Sequence, residues 1–363
     1  MNTVKNFYDK LNDIAPFRSA YSWDNVGLLV GDMSAKVDKA LITLDVTEKI
    51  VDHAIAQKVD LIISHHPIMI QATKSITQKK LLKLIENKIA VISAHTNLDI
   101  SKYGVNYVLA ELLNLKNIQA LSMSQDIKQY QVCVYTPDNA VDKVMLAMHE
   151  AGAGVIGNYS HCATYFDTLG QYRPLENSNP HIGQLDTLEK VKERKIELLC
   201  EEHDLQKIIV AMIEAHPYET PVYTVIELIQ KSQNYGLGCY GELESETKLK
   251  DLAHSVKEKL NAPFVKLWTA GKPENFAVKK IAVCGGSGNS IIHEARQFAD
   301  VFVSSDFTYH QLLDAPLPVV DAGHFFTENP VSKALYDLFK DFDCEITTVS
   351  QTEHDIAKLK III

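Results

Sequence analysis

The chain is predicted to be an α/β protein in which two α/β lobes form one split core, interrupted by an inserted α+β domain of ferredoxin-like plan. Two observations predict this. Short apolar runs alternate with amphipathic stretches at both ends of the sequence, while the middle third keeps a different rhythm. The apolar runs also end in histidines or glycines, as strands do when their carboxyl ends carry a site. The domains are accordingly drawn as residues 1–126, 127–234 and 235–363.

In the first block, Ala40-Leu-Ile-Thr-Leu44 reads as a strand, and Thr47 is placed to cap a helix over Glu48–Gln57. The apolar run from Leu61 is a second strand, followed by a helix near Gln78–Asn87. A third strand over Ala90–Ala94 and a helix over Tyr103–Leu115 complete βαβ punctuation with connections long enough for parallel neighbours. The last block alternates in the same way, with Ile281–Cys284 as strand, Ser290–Ala299 as helix, Val301–Ser304 as strand and Val331–Phe339 as helix. The stretch from Thr347 to Glu353 fits an exposed or edge strand, and the terminal Ile361-Ile-Ile363 calls for burial or a partner. In the middle block, Gln131–Tyr135 is a strand and Val141–Ala151 a helix, with a glycine-rich turn over Gly152–Gly157. Short alternating strands follow, then a strand at Ile196–Leu199, a helix at Asp204–Ala215 and a strand at Val222–Ile226. That is β-α-β-β-α-β order.

Composition sets limits. Of 363 residues, 46% are hydrophobic and 23% charged, enough apolar material for two or three substantial cores. The net charge of −10 gives no global attraction for nucleic acid or anionic lipid, and no basic–aromatic interleaving is present. The pairs Lys79-Lys80 and Lys279-Lys280 read as solvated faces. No run reaches the ~18 apolar residues of a membrane span, and the N-terminus lacks the apolar core of a signal peptide. The six cysteines (Cys133, Cys162, Cys200, Cys239, Cys284, Cys344) are scattered without C-x-x-C spacing, as reduced thiols of a cytoplasmic protein would be.

The chemistry concentrates at three strand ends. Leu61-Ile-Ile-Ser-His65-His66-Pro67 places adjacent imidazoles after a buried strand. In an extended segment they point in different directions, which suits two neighbouring metal ions, or one metal and one substrate, better than chelation of one ion. Ala90-Val-Ile-Ser-Ala94 leads into His95-Thr-Asn-Leu-Asp99, and Pro318-Val-Val-Asp-Ala-Gly323 leads into His324-Phe-Phe-Thr-Glu328. Each of these pairs a histidine with a carboxylate four residues on, so a helical turn would turn both side chains to one face. Imidazole with carboxylate oxygen is a donor set for zinc, iron, manganese or nickel, and no cysteine takes part. A carboxylate bridging two ions ~3.5–4 Å apart is the usual two-metal arrangement for activating water.

Other motifs divide between two readings. Gly285-Gly286-Ser287-Gly288 lies between strand and helix patterns; its amides would hold an anion, or its glycines would serve a tight turn of positive φ. No Lys-Ser/Thr follows, which excludes P-loop nucleotide hydrolysis, and no serine sits in a nucleophile elbow. Asp306 and His310 follow the Val301 strand and point to the same edge, as groups that orient ligands or carry protons, though His310 reads equally well as a helix-surface residue. His216-Pro217-Tyr218-Glu219 is a strand-entry turn whose histidine is read as structural before it is read as a ligand.

His65-His66-Pro67, His95-Thr-Asn-Leu-Asp99 and His324-Phe-Phe-Thr-Glu328 resemble the signatures of the GTP cyclohydrolase I type 2 homologue family, also called the Ngg1-interacting-factor-three-like family. Trp23-Asp24-Asn25-Val26-Gly27-Leu28-Leu29-Val30-Gly31 is similar to its opening motif, and Val283-Cys284-Gly285-Gly286-Ser287-Gly288 to its late glycine loop. The middle block resembles the PII-like and CutA-like inserts of the longer members. The resemblance implies two divalent ions per chain held by His65, His66, Asp99, His324 and Glu328, with Glu328 as the bridge. His95 is then a ligand or a group that orients one or donates to substrate. It also implies a homo-oligomer, a hexameric toroid built from trimers with its metal sites facing an inner cavity. Two functions follow: a metal-dependent hydrolase acting on a nucleotide or phosphoester, with GTP ring opening as the named case, or a non-catalytic scaffold that handles or senses metal. Nucleic-acid binding is a minor third, against which the acidic balance counts.

Overall fold

The computed structural model describes residues 2–71, 73–123, 127–157, 159–232 and 235–349. The chain divides into two compact units, Met1–Ser124 with Asn234–Ile363, and Gln125–Gln233.

The larger unit is built on two main sheets. The first has five strands in the order Glu345–Thr348, Lys39–Thr43, Leu61–Ser64, Ala90–Ser93, Gly27–Val30. The first four run parallel, and Gly27–Val30 closes the far edge antiparallel. Leu61–Ser64 and Ala90–Ser93 are buried along their whole length, which is why they read as continuous apolar runs. Alternate residues serve opposite faces. Ile42, Leu61, Ile63 and Ile92 pack against Val4, Phe7 and Leu11 of helix Val4–Ile14 and Val331, Leu335 and Phe339 of helix Pro330–Phe339. Leu41, Ile62 and Val91 pack against Ile50, Val51 and Ala54 of helix Glu48–Ala56 and Leu81 and Leu84 of helix Lys79–Glu86. Thr47 caps the helix Glu48–Ala56, its hydroxyl accepting from the Ile50 amide at 3.3 Å.

The second sheet has six strands in the order Lys266–Trp268, Val319–Asp321, Val301–Ser305, Ala277–Ser287, Gly236–Lys248, Lys116–Met123. The three strands Val319–Asp321, Val301–Ser305 and Ala277–Ser287 are parallel; the others are antiparallel to their neighbours. Each sheet takes an edge strand from the other chain segment: Glu345–Thr348 joins the first, Lys116–Met123 the second. The split core is therefore held by exchanged edges, with helix Pro330–Phe339 packed on the first sheet. The edge-strand reading of the C-terminal region holds for Glu345–Thr348, two residues ahead of the segment expected. Residues 350–353 of that segment, and Ile361–Ile363, lie outside the described residues. Among the described residues no helix is long and apolar enough to cross a membrane.

Gly236–Lys248 and the helix Leu249–Lys259 are elements that sequence patterning passed over. The strand begins Gly236-Leu-Gly-Cys-Tyr-Gly, a composition that argues against strand on propensity alone. Its pairing on both sides with Ala277–Ser287 and Lys116–Met123 overrides that preference.

The smaller unit runs strand Lys128–Pro137, helix Val141–Glu150, strands Thr164–Tyr172 and Glu189–Glu201, helix Leu205–Ala215, strand Tyr223–Lys231. Its strand order, last-first-third-second with every pair antiparallel, is that of a ferredoxin-like split β-α-β. Val132, Val134, Ile196 and Leu198 line one sheet face under Val144, Met148, Ile208 and Met212 of the two helices.

Candidate metal centre

The parallel strands end together, and their carboxyl ends deliver the histidines. The ladder continues past Ser64, with the His65 amide donating to the Thr43 carbonyl and the His66 amide to that of Leu44. Ser64 Oγ donates to the His66 carbonyl at 2.9 Å. A hydroxyl has one proton, so the buried 2.8 Å contact between Ser64 and Ser93 is donated by Ser93. This ties the His65-His66 loop to the strand that leads into His95. His95 precedes the one-turn helix Thr96–Asp99, and the helix His324–Glu328 follows the strand Val319–Asp321 of the second sheet.

Four imidazoles meet there. Ring centroids are 5.0 Å apart for His65 and His66, 5.2 Å for His65 and His95, and 5.4 Å for His66 and His324. Three sets of potential ligand atoms each lie within 4.8 Å: His65, His66 and His95; His65, Asp99 and Glu328; His66, His324 and Glu328. Glu328 belongs to the last two. Its Oε2 is 3.0 Å from Nε2 of both His66 and His324, and its Oε1 is 3.9 Å from His65 Nε2. Asp99 Oδ1 is 3.5 Å from the same His65 atom.

Every imidazole is anchored through Nδ1 to an oxygen. His65 is held by the Ala94 carbonyl at 2.9 Å, His66 by Asp45 at 2.8 Å, His324 by Asp306 at 2.6 Å, and His95 by Asp24 at 3.0 Å. An oxygen acceptor at Nδ1 places a proton there and leaves Nε2 as the ligand atom. Two buried atoms inside the cluster, His65 Nε2 and Asp99 Oδ1, have no hydrogen-bond partner despite their 3.5 Å approach. Buried polar atoms left unsatisfied in a well-packed core mark a missing partner. A divalent ion at the set of His65, Asp99 and Glu328 would satisfy both, so the donor set fits a metal.

Electrostatics agree. Burial alone would lower the His66 pKa, but the Asp45 and Glu328 carboxylates dominate and push it up to about 10. His324, with burial again opposed by Glu328 and Asp306, is pushed up to about 9. Glu328 is held well below the usual carboxylate range: burial would raise it, and the surrounding histidines win. Burial raises Asp99, its neighbour, instead, so of the two carboxylates Glu328 takes the charge first. Asp24, against burial, is drawn down to about 2 by His95 and Thr96. In the metal-free centre the protons on His66 and His324 occupy the places of ions. Their raised values mean that they are bound below about pH 9 and must leave when metal enters. Metal uptake is therefore expected to release about two protons per chain near pH 7.5 and to tighten as pH rises towards 9. Titration in weakly buffered solution checks this; uptake without proton release would contradict it.

Of the residues singled out in the sequence, His65, His66, His95, Asp99, His324 and Glu328 are brought together. Asp306 orients His324, helped by a left-handed backbone (φ 63) that an aspartate tolerates. Of its two readings, His310 takes the helix surface. It stands exposed on helix Tyr309–Leu313, edge-on to Tyr309, in none of the three ligand sets. The Thr308–Gln311 capping box starts that helix at the surface, and no residue of it is buried. The glycine segment is the irregular end of the strand Ala277–Ser287, and two of its amides are taken. The Gly285 amide donates to Asn106 Oδ1 and that of Gly286 to Thr327 Oγ1, so neither is free for a phosphate. His216 is structural: Nδ1 accepts from the Tyr218 amide and Nε2–H donates to the Tyr135 carbonyl, while burial lowers its pKa. Sequence reasoning missed the anchors Asp24 and Asp45. Asp45 lay just past the first strand, the one signal that could have found it.

A family model described as Duf34/NIF3 (NGG1p interacting factor 3) matches residues 2–355. The chain belongs to this family. Among curated Duf34/NIF3 relatives, a Staphylococcus aureus "GTP cyclohydrolase 1 type 2 homolog" is 39% identical over 323 residues, covering 87% of each chain. A Staphylococcus epidermidis protein of the same name is 34% identical over 345 residues, covering 93% of each. Among solved structures, a Bacillus cereus protein related to NIF3 superposes with a TM-score of 0.86 at 34% identity, over 100% of this chain and 99% of that one.

Proposed function

We propose that this Duf34/NIF3 chain is a dinuclear, divalent-metal-dependent hydrolase of a nucleotide or phosphoester substrate. The observation that carries the reading is the sharing of Glu328 between two three-residue sets, one with His65 and Asp99 and one with His66 and His324. One ion would be held by each set, zinc, iron, manganese and nickel all suiting the donors. Two ions so placed supply an acidified water and a polarised substrate group. The protein's own part is to fix the imidazoles through Asp45, Asp306 and the Ala94 carbonyl, and to keep His95 at the third side for a ligand or substrate contact. A cavity of about 220 Å³, lined by His324, Asp306, Lys266 and Phe264 among others, leaves room beside the His324 imidazole. The relatives' name supports GTP ring opening as the first activity to assay. The same reading takes the inserted unit as a PII/CutA-like module, on the strength of its strand order.

Burial of the ligands favours a second reading, a metal-handling scaffold. His65 is fully buried and Glu328 nearly so, which suits retention of an ion as well as turnover. Elemental analysis and assays of GTP ring opening and phosphate release on one purified sample separate the two, with the His65→Ala/His66→Ala variant as control. The hydrolase is expected to hold about two ions per chain and to lose turnover in the variant. Two ions without turnover on any nucleotide would transfer the assignment to the scaffold. Failure to bind metal after reconstitution would remove both.

A further inference from the structure

A cavity of about 430 Å³ lies wholly in the inserted unit, and no residue of the metal centre lines it. This is the size of a small-metabolite site. Its walls carry the rings of Tyr135, Tyr172, Tyr218 and His181 and the carboxylates of Glu193 and Glu219, with no lysine or arginine among the lining residues. Glu193, on the central strand Glu189–Glu201, is only 8% exposed. Among the described residues it makes no ion pair; its one side-chain hydrogen bond is from Tyr218, whose hydroxyl donates at 2.8 Å. A carboxylate that deep is ordinarily paired with a cation. Tyr172 and Tyr218 stand edge-to-face at 5.9 Å, and His181 lies 6.3 Å from Tyr218.

The His216-Pro217-Tyr218-Glu219 turn gains a role here. His216, fixed by the Tyr218 amide on one side and the Tyr135 carbonyl on the other, sets the turn that brings Tyr218 and Glu219 to the cavity wall. Gly170 keeps the wall open beside the buried carboxylate: a Cβ there would fall 2.2 Å from Glu193 Oε2.

From these features we infer that the cavity binds a small organic cation, an ammonium or guanidinium compound, with its charge on Glu193 and its carbon body against the tyrosine rings. Aromatic faces and a desolvated carboxylate attract such cations together. An anion would meet two carboxylates and no lysine or arginine, with His181 the one imidazole among the lining residues. A metal ion is disfavoured because no three ligating side chains converge in this unit among the described residues.

The test uses the full-length protein and three probes of different head group, agmatine, putrescine and choline, with glutarate as the anionic control. Ligand-observed NMR and calorimetry are expected to show saturable binding of at least one cation with a Kd of about 1 mM or tighter, and none of glutarate. Glu193→Gln keeps the acceptor for Tyr218 and should weaken binding about tenfold or more, while metal content stays at the wild-type level. Tyr172→Leu should weaken it independently. Binding of no cation in the panel, equal binding of glutarate, or affinity unchanged in Glu193→Gln would each overturn the assignment.

Discussion

In the proposed dinuclear centre, Glu328→Gln is expected to abolish binding of at least one ion and to weaken the other by about 100-fold, the upper end for losing even a hydrogen-bond partner of a ligand. The amide has the shape of the carboxylate but not its charge, and its nitrogen offers protons where a lone pair is required. Both ligand sets that contain Glu328 lose their shared anion, leaving one with His65 and Asp99 and the other with two neutral imidazoles. The fold should survive, because Gln fills the same volume in helix His324–Glu328. His66 and His324 lose the carboxylate 3.0 Å from each Nε2, so their protons should be released at lower pH than in the wild type. Elemental analysis beside circular dichroism reads both effects. A folded variant that retains two ions at full stoichiometry would take the bridging role from Glu328.

A comparable loss is expected from Gly286→Ala, a change of one methyl group. Gly286 has φ +62, where a side chain costs roughly 1–2 kcal/mol. Its Cβ would lie 2.2 Å from Glu328 Oε1 and 3.1 Å from the His324 ring. The strand Ala277–Ser287 cannot withdraw easily, since the Gly286 carbonyl accepts from Ser304 and Ser305 and its amide is tied to Thr327. Glu328 must move instead. The metal-free variant should melt several degrees lower, consistent with a cost of a few kcal/mol, and bind metal weakly. Wild-type metal content at an unchanged melting temperature would show that the loop does not shape the centre.

The glycine loop thus shows where local reading stops. Its strand-to-helix position is visible in the sequence, and both an anion cradle and a tight turn fit that position. What decides is that its amides meet Asn106 and Thr327, 179 and 41 residues away along the chain, and that is set by how helices pack on the strand. The histidines were legible for the opposite reason. A strand buried on both faces must be a short apolar run, so residues just beyond Ser64 and Ser93 lie at carboxyl ends whatever the rest of the fold does. His324 and Glu328 were legible as a pair because an i, i+4 spacing meets on one helix face. Asp24 and Asp45 were not, because a single aspartate in a loop reads as surface. Each becomes an anchor only when a histidine 71 or 21 residues away folds against it. His310 lay close in sequence to Asp306, and local reading could not choose between the site and the surface; it stands on a helix with no buried residue.

By itself, then, the sequence determined the alternation of buried strands and helices, the ferredoxin-like rhythm of the insert, and the identity of the imidazole and carboxylate groups available for metal. These follow from periodicity and side-chain chemistry, which act over a few residues. Only the tertiary structure decided that Glu345–Thr348 and Lys116–Met123 exchange between sheets, which acids orient the histidines, and that Glu328 is shared by two ligand sets. It also decided that the aromatic cavity of the insert holds a carboxylate with no ion pair among the described residues. Those are contacts between residues distant in the chain, fixed by close packing of whole elements, and no local pattern encodes them.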